Sequence, residues 1–245
     1  MAVLETIIND LVIANRILAH ENVVDAFGHV SHRHPDDAGL YLLSRSRSPE
    51  LVTHADILTF SLDGHPKNPD GHEPYTERHI HGAIYERFPH INAVVHSHAL
   101  AVLPFTISNI PLRPVIHVAS HCGCNIPVWD IRAKFGDTKL LVSNMEQGRD
   151  LAATLALGDG GAVLMRGHGF AAAAGTLKDV VKTSVYLPQN AQVLQEAIRL
   201  GGTVAYLSEG EIAARATNVI GNDRAWEYWA TRAGCGEYLK KALLF

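Results

Sequence analysis

Imidazole is the commonest metal-binding side chain and the one that titrates nearest neutrality, and histidine supplies 15 of the 245 residues of this chain. Two histidines end an apolar run, Val94-Val95-His96-Ser97-His98. Side chains alternate between the faces of an extended strand, so residues two apart share a face and both imidazoles can reach one ion. The same pattern also suits a strand-end histidine beside a solvated one. A third histidine ends another apolar run, Val163-Leu164-Met165-Arg166-Gly167-His168-Gly169, where flanking glycines permit backbone that other residues avoid and can aim His168 inward. A catalytic zinc-type site commonly takes three protein ligands and keeps one position open; a turn histidine bonded only to backbone is the alternative.

Glu77 opens a helix in Tyr75-Thr76-Glu77-Arg78-His79-Ile80-His81. A carboxylate in a first turn is favoured by the helix dipole alone. Beside a divalent ion it can instead ligate the metal or shuttle a proton. His81, four residues on, shares the face and could orient the carboxylate, whereas His79 points elsewhere, toward solvent.

The elements that must position these groups follow from hydrophobic period. Val3, Leu4, Ile7, Ile8, Leu11, Val12, Ile17 and Leu18 draw an apolar stripe down an opening helix. Short apolar runs between Val23 and Phe60, parted by Pro, Gly and Asp, read as strands joined by tight turns. Thr76 to Phe88 is helical and is stopped by Pro89, and Ile91 to His98 is extended. Lys139 to Ser143 reads as extended, Glu146 to Leu157 as helical, Ala162 to Arg166 and Phe170 to Ala174 as extended, and Leu177 to Leu200 as helical. This alternation predicts an α/β sandwich with a mixed sheet. Asp63 to Glu73, rich in Pro and Gly, reads as a mobile surface loop.

Composition removes whole classes of function. The length suits one domain over 1–245, with 218–245 as a C-terminal helical tail, and 47% hydrophobic residues can build a substantial core. A net charge of −4 without a basic run argues against nucleic acid. No stretch is apolar enough for a membrane span, and the start, with Glu5, Asn9, Asp10 and Arg16, is no signal peptide. Three cysteines without zinc-ribbon spacing point to a reducing, cytoplasmic setting; Cys122 and Cys124 read as small core fillers.

The combination of Glu77 and His81 on a helix ending at Pro89, Ala93-Val94-Val95-His96-Ser97-His98, and Arg166-Gly167-His168-Gly169 before a small-residue strand resembles the class II aldolase/adducin family over about residues 4 to 205. Within it, the chain looks most like the aromatic hydroxy-acid decarboxylases of the hydroxymethylpyridine dicarboxylate type. The resemblance implies a three-layer α/β/α sandwich around a mixed central sheet and a homotetramer with active sites near subunit boundaries. It implies one divalent ion per subunit held by His96, His98 and His168, with Glu77 as fourth ligand or acid/base. Zinc or manganese comes first, and iron or cobalt also suits the donors.

The family's sugar-phosphate aldolases hold phosphate with a glycine-asparagine pair and small loops, and this chain departs from them. Gly28 precedes His29, and the loop reads Leu43-Ser44-Arg45-Ser46. A guanidinium can grip a carboxylate bidentately, so Gly28, His29, Ser44, Arg45, Ser46 and Thr76 are the expected contacts to an aromatic carboxylate. Arg45 could instead pair with Glu50 or Asp56, and His29 could bond a phenolic oxygen or only pack. His117 and His121 could reach a neighbour's pocket. The expected reaction is non-oxidative decarboxylation of a hydroxylated benzene or pyridine (di)carboxylate through a metal-stabilised carbanion or enolate. Alternatives are an aldolase or epimerase on a sugar-like or acidic substrate, a ferrous-dependent oxygenase, and a non-enzymatic adducin-like protein; the complete set Glu77, His96, His98 and His168 argues against the last.

Overall fold

A computed structural model describes residues 2–67, 71–155, 160–216 and 222–242. The chain opens with α1 (Ala2–His20), followed by β1 (His29–Arg33), β2 (Leu40–Ser44) and β3 (Ile57–Ser61). Next come α2 (Arg78–Arg87), β4 (Ala93–Ser97), the single-turn α3 (Leu103–Thr106), β5 (Val128–Trp129) and the short α4 (Ile131–Phe135). The second half carries α5 (Met145–Thr154), β6 (Gly160–Met165), β7 (Gly169–Ala174) and the long α6 (Leu177–Leu200). Helices α7 (Glu209–Ala216), α8 (Asn222–Arg232) and α9 (Gly236–Ala242) complete the described chain.

The strands form one seven-stranded sheet in the order β3-β2-β1-β4-β7-β6-β5. Every neighbouring pair is antiparallel except β5 with β6, so the sheet is mixed. Alternation along the strands then makes two cores. Val30, Leu42, Val95, Leu164 and Ala172 pack with Leu11, Ile17, Val181, Val185 and Trp229 from α1, α6 and α8. Tyr41, Leu43, Val94, Val163 and Ala171 face the other way, onto Ile80, Ile84 and Leu151 of α2 and α5. The result is the three-layer α/β/α sandwich around a mixed sheet. Among the described residues no helix is long and apolar enough to cross a membrane.

Side-chain caps define several helix starts. The Asn144 side chain accepts from the Gln147 N–H to begin α5, and Thr176 accepts from the Asp179 N–H to begin α6, satisfying donors that a helix N-terminus leaves without partners.

Several details differ from the sequence expectation. Lys139 to Ser143 joins no strand ladder, because its backbone groups are spent elsewhere: the Val142 N–H donates to Glu77 and the Leu140 carbonyl accepts from His168. The two-residue edge strand β5 carries too short an apolar signal to be seen. The helix expected at Glu146 to Leu157 runs Met145–Thr154, with its expected last two positions outside the described residues. Positions 68–70 of the 63–73 loop, and 218–221 and 243–245 of the tail, also lie outside them. His79, expected in solvent, is buried, because the turn after β3 closes over its ring: a Cβ on Gly64 would sit 2.9 Å from His79 Nδ1.

The glycines around His168 are required for different reasons. Gly167 has φ +64° with open space around it, whereas a Cβ on Gly169 would lie 2.0 Å from the Ser97 carbonyl oxygen. Gly167→Ala should therefore cost about 1–2 kcal/mol, the ordinary penalty for a left-handed residue, and Gly169→Ala about 3 kcal/mol or more from overpacking against backbone. Paired thermal unfolding measurements check the order.

Candidate metal centre

Adjacent sheet positions and one helix start bring the chemistry together. His96 lies on β4 facing the α2 layer, His98 follows the end of that strand, and His168 occupies the tight turn from β6 to β7. Ala171, directly opposite His96 on β7, presents only a methyl group beside the ring. Glu77 caps the start of α2 and is buried.

The donor atoms of Glu77, His96, His98 and His168 all lie within 4.8 Å of one another. His98 Nε2 is 3.0 Å from His96 Nε2 and 3.1 Å from His168 Nε2. Glu77 Oε2 is 3.2 Å from His96 Nε2 and 3.3 Å from His168 Nε2. A tetrahedral site with bonds of about 2.0–2.1 Å has edges of roughly 3.3–3.4 Å, close to these separations.

The far nitrogen of each ring sets which way its lone pair points. His96 Nδ1 is 3.1 Å from the Phe170 carbonyl oxygen and His168 Nδ1 is 2.8 Å from that of Leu140. His98 Nδ1 lies 3.2 and 3.3 Å from the two carboxylate oxygens of Asp25. These partners are acceptors only, so each Nδ1 carries the hydrogen and each neutral ring turns its Nε2 lone pair inward. Three lone pairs and a carboxylate oxygen at this spacing repel one another. A proton on one ring relieves one contact at a time; a divalent ion relieves all four.

Glu77 completes the electrostatics. Burial pushes its carboxyl upward, but the imidazoles of His96 and His168 outweigh burial and hold it far below the usual carboxylate range. Its Oε1 accepts the Val142 N–H at 2.9 Å, which leaves Oε2 aimed at the histidines. Burial lowers His98, with His96 adding to the effect. At His168 burial also disfavours the proton, but the hydrogen bond and charge of Glu77 prevail and raise it.

The other expected residues are placed less uniformly. His81 does not orient Glu77: its Nε2 contacts His29 Nδ1 at 2.7 Å and its Nδ1 contacts Ser31 Oγ at 2.6 Å, because β1 lies directly under α2. His29 sits opposite His96 across the β1–β4 ladder, with ring centroids 5.1 Å apart. Gly28 is buried where a Cβ would meet Val24 at 2.6 Å, a packing reason for the glycine. Arg45 Nε donates to Asp56 at 2.6 Å and Arg47 Nη1 bonds both oxygens of the same carboxylate at 3.1 Å. Asp56, not Glu50, is thus the partner of Arg45, and two guanidiniums share one carboxylate. Ser44 is buried with its Oγ 3.3 Å from the Tyr75 hydroxyl, while Ser46 and Thr76 are exposed. The Tyr75 ring, 4.4 Å from that of His29, links the arginine pair to the histidines, and its hydroxyl donates to the Arg47 carbonyl. His117 is exposed, and Cys122 is buried while Cys124 is half-buried.

Sequence reasoning missed Asp25, Tyr75, Ser31 and Tyr85. The only local signal was the Asp25-Ala26-Phe27-Gly28 turn, whose carboxylate caps the Phe27 and Gly28 N–H groups; its contact with His98 spans a sequence separation that no local pattern encodes.

The α/β/α sandwich thus brings three imidazoles and a carboxylate together beside the central strand, a group that could hold a metal ion. Residues 9–194 match the family model for the Class II Aldolase and Adducin N-terminal domain, and the chain belongs to this family. It is 34% identical to the decarboxylase tropJ of Talaromyces stipitatus over 90% of this chain and 91% of that protein. It is 28% identical to the 3,4-dihydroxyphthalate decarboxylase of Arthrobacter keyseri, covering 83% of each. Among solved structures, an L-fuculose 1-phosphate aldolase from Glaciozyma antarctica PI12 superposes with a TM-score of 0.71 at 20% identity, covering 96% of this chain and 90% of that one.

The contact between Asp25 and His98 makes a specific expectation. Asp25→Ala should weaken zinc affinity about 10–100-fold, as loss of an outer partner of a ligating histidine does. Competition with a chromophoric chelator measures it, and His98→Ala should lose stoichiometric metal altogether.

Proposed function

We propose that this protein is a metal-dependent carbon-carbon lyase that removes carbon dioxide, without oxidation, from a hydroxylated aromatic or pyridine (di)carboxylate. The observation that carries the reading is the inward convergence of three Nε2 lone pairs with the Glu77 carboxylate; two of the relatives, both decarboxylases, support the reaction type. His96, His98, His168 and Glu77 would hold one divalent ion, zinc or manganese by preference, although iron and cobalt suit the same donors. When bound, such an ion stabilises negative charge that develops on substrate oxygens, worth several kcal/mol in the transition state.

The chain's own residues do the rest. Arg45 and Arg47 share Asp56, so this group of three side chains carries net positive charge, and the Arg45 terminal nitrogens make no hydrogen bond among the described residues. They suit a second carboxylate on the substrate. Gly28, His29, Ser44, Ser46 and Thr76 are assigned to the remaining substrate contacts, and the ring planes of Tyr75 and His29 suit an aromatic ligand. Glu77 rests ionised, anchored at Oε1 by the Val142 N–H; it acts as a ligand or as the acid/base, and it or a water it bonds delivers the proton that replaces carbon dioxide on the ring carbon. The assembly proposed is a cytoplasmic homotetramer of 245-residue single-domain subunits with no nucleic-acid or membrane partner. A class II aldolase acting on an acidic or sugar-like substrate is the second reading, favoured by the fold shared with the fuculose phosphate aldolases.

Elemental analysis of the purified protein, followed by a carbon dioxide release screen over hydroxylated benzene and pyridine dicarboxylates, tests the proposal. Turnover should vanish on chelation and return with added divalent metal; aldehyde release without carbon dioxide would move the assignment to the aldolase. Glu77→Gln should keep the fold by circular dichroism and lower kcat by about 10²–10⁴.

A further inference from the structure

Beneath His29 runs a buried line of hydrogen bonds that the metal cluster does not use. Tyr85 Oη lies 2.7 Å from Ser31 Oγ, which lies 2.6 Å from His81 Nδ1, and His81 Nε2 lies 2.7 Å from His29 Nδ1. Ser31, His81 and Tyr85 are at most 1% exposed and His29 is 2% exposed. Each link could run in either direction, but the line runs in one if the buried Ser31 hydroxyl is to use its single hydrogen, because its two partners are Tyr85 and His81.

Its far end sets that direction. If Ser31 donated to Tyr85, the phenol would be left to donate only to the Asn92 carbonyl at 3.4 Å, far longer than an ordinary O–H···O bond. The shorter contact is the one to Ser31, and a phenol is the stronger donor of the two hydroxyls. Burial raises the Tyr85 phenol well above its usual range, so it keeps its proton. Tyr85 therefore donates to Ser31, Ser31 donates to His81 Nδ1, and His81 Nε2–H donates to His29 Nδ1. His29 is left with a bare Nδ1 and a hydrogen on Nε2, across the ring from His81, where it has no hydrogen-bond partner among the described residues.

We infer that His29 is a substrate-contacting hydrogen-bond donor whose tautomer is locked by Tyr85, Ser31 and His81 acting as positioning residues. Standing beside His96 on the same sheet face, the Nε2–H suits an oxyanion on the substrate ring, a phenolate or carboxylate oxygen. A neutral sugar hydroxyl accepts the same N–H more weakly than an oxyanion does, so this donor favours a ring hydroxy-acid over an uncharged sugar. The inference rests on the hydroxy-acid reading for its ligand, although the tautomer does not.

Zinc-loaded protein labelled with ¹⁵N-histidine, assigned through His29→Gln, reads the tautomer by long-range proton–nitrogen correlation. His29 should carry its hydrogen on Nε2, and salicylate should shift that proton downfield. Ser31→Ala should yield mixed tautomers and lower kcat/KM on hydroxylated acids about tenfold, the scale of one lost hydrogen bond, with folding unchanged by circular dichroism. Tyr85→Phe, which keeps the ring, should repeat the tautomer change if Ser31→Ala fails to fold. Hydrogen found on Nδ1 in the parent protein, an unchanged tautomer in both variants, or no response to salicylate would overturn the inference. An Nε2–H that responds to salicylate, in a protein that releases no carbon dioxide from any hydroxy-acid, would uphold His29 and sink the decarboxylase reading alone.

Discussion

Mutual repulsion among three imidazole lone pairs and one carboxylate is the constraint around which this molecule is arranged. Each ring is held from behind by an acceptor, the Phe170 and Leu140 carbonyls and the Asp25 carboxylate, so none can turn away without breaking a hydrogen bond. The backbone N–H of Val142 does the same for Glu77. A divalent cation would neutralise all four donors at once.

The fold supplies the rigidity this requires. The site grows from the middle of the sheet, where β4 lies between β1 and β7, and the two cores fix those strands from both faces. Irregular backbone serves the cluster at two places. The 139–143 stretch gives up strand pairing to present Leu140 and Val142, and the Gly167-His168-Gly169 turn admits close contact with the Ser97 carbonyl.

Charge is divided within the site. The histidine cluster concentrates negative and lone-pair density at one point, while Arg45 and Arg47 gather around Asp56 beyond Tyr75. A substrate with a chelating hydroxy-acid face and a second carboxylate would complement both ends, and the neutral His29 between them adds a donor without a charge.

Much of this was legible in the sequence for a local reason. The period of two in His96-Ser97-His98, the glycines around His168 and the apolar stripe of α1 are patterns of neighbours, and backbone geometry converts them directly into faces and turns. The four clustered side chains were nameable from residue type and spacing. Their donor distances, the tautomer of each ring, the partnership of Arg45 with Asp56 and the turn of His81 away from Glu77 toward His29 were decided only by tertiary structure. Those contacts join residues far apart along the chain, such as Asp25 with His98 and Ser31 with Tyr85, and hydrogen-bond direction depends on which acceptor the packed sheet and helices bring within about 3 Å. No local sequence pattern carries that information.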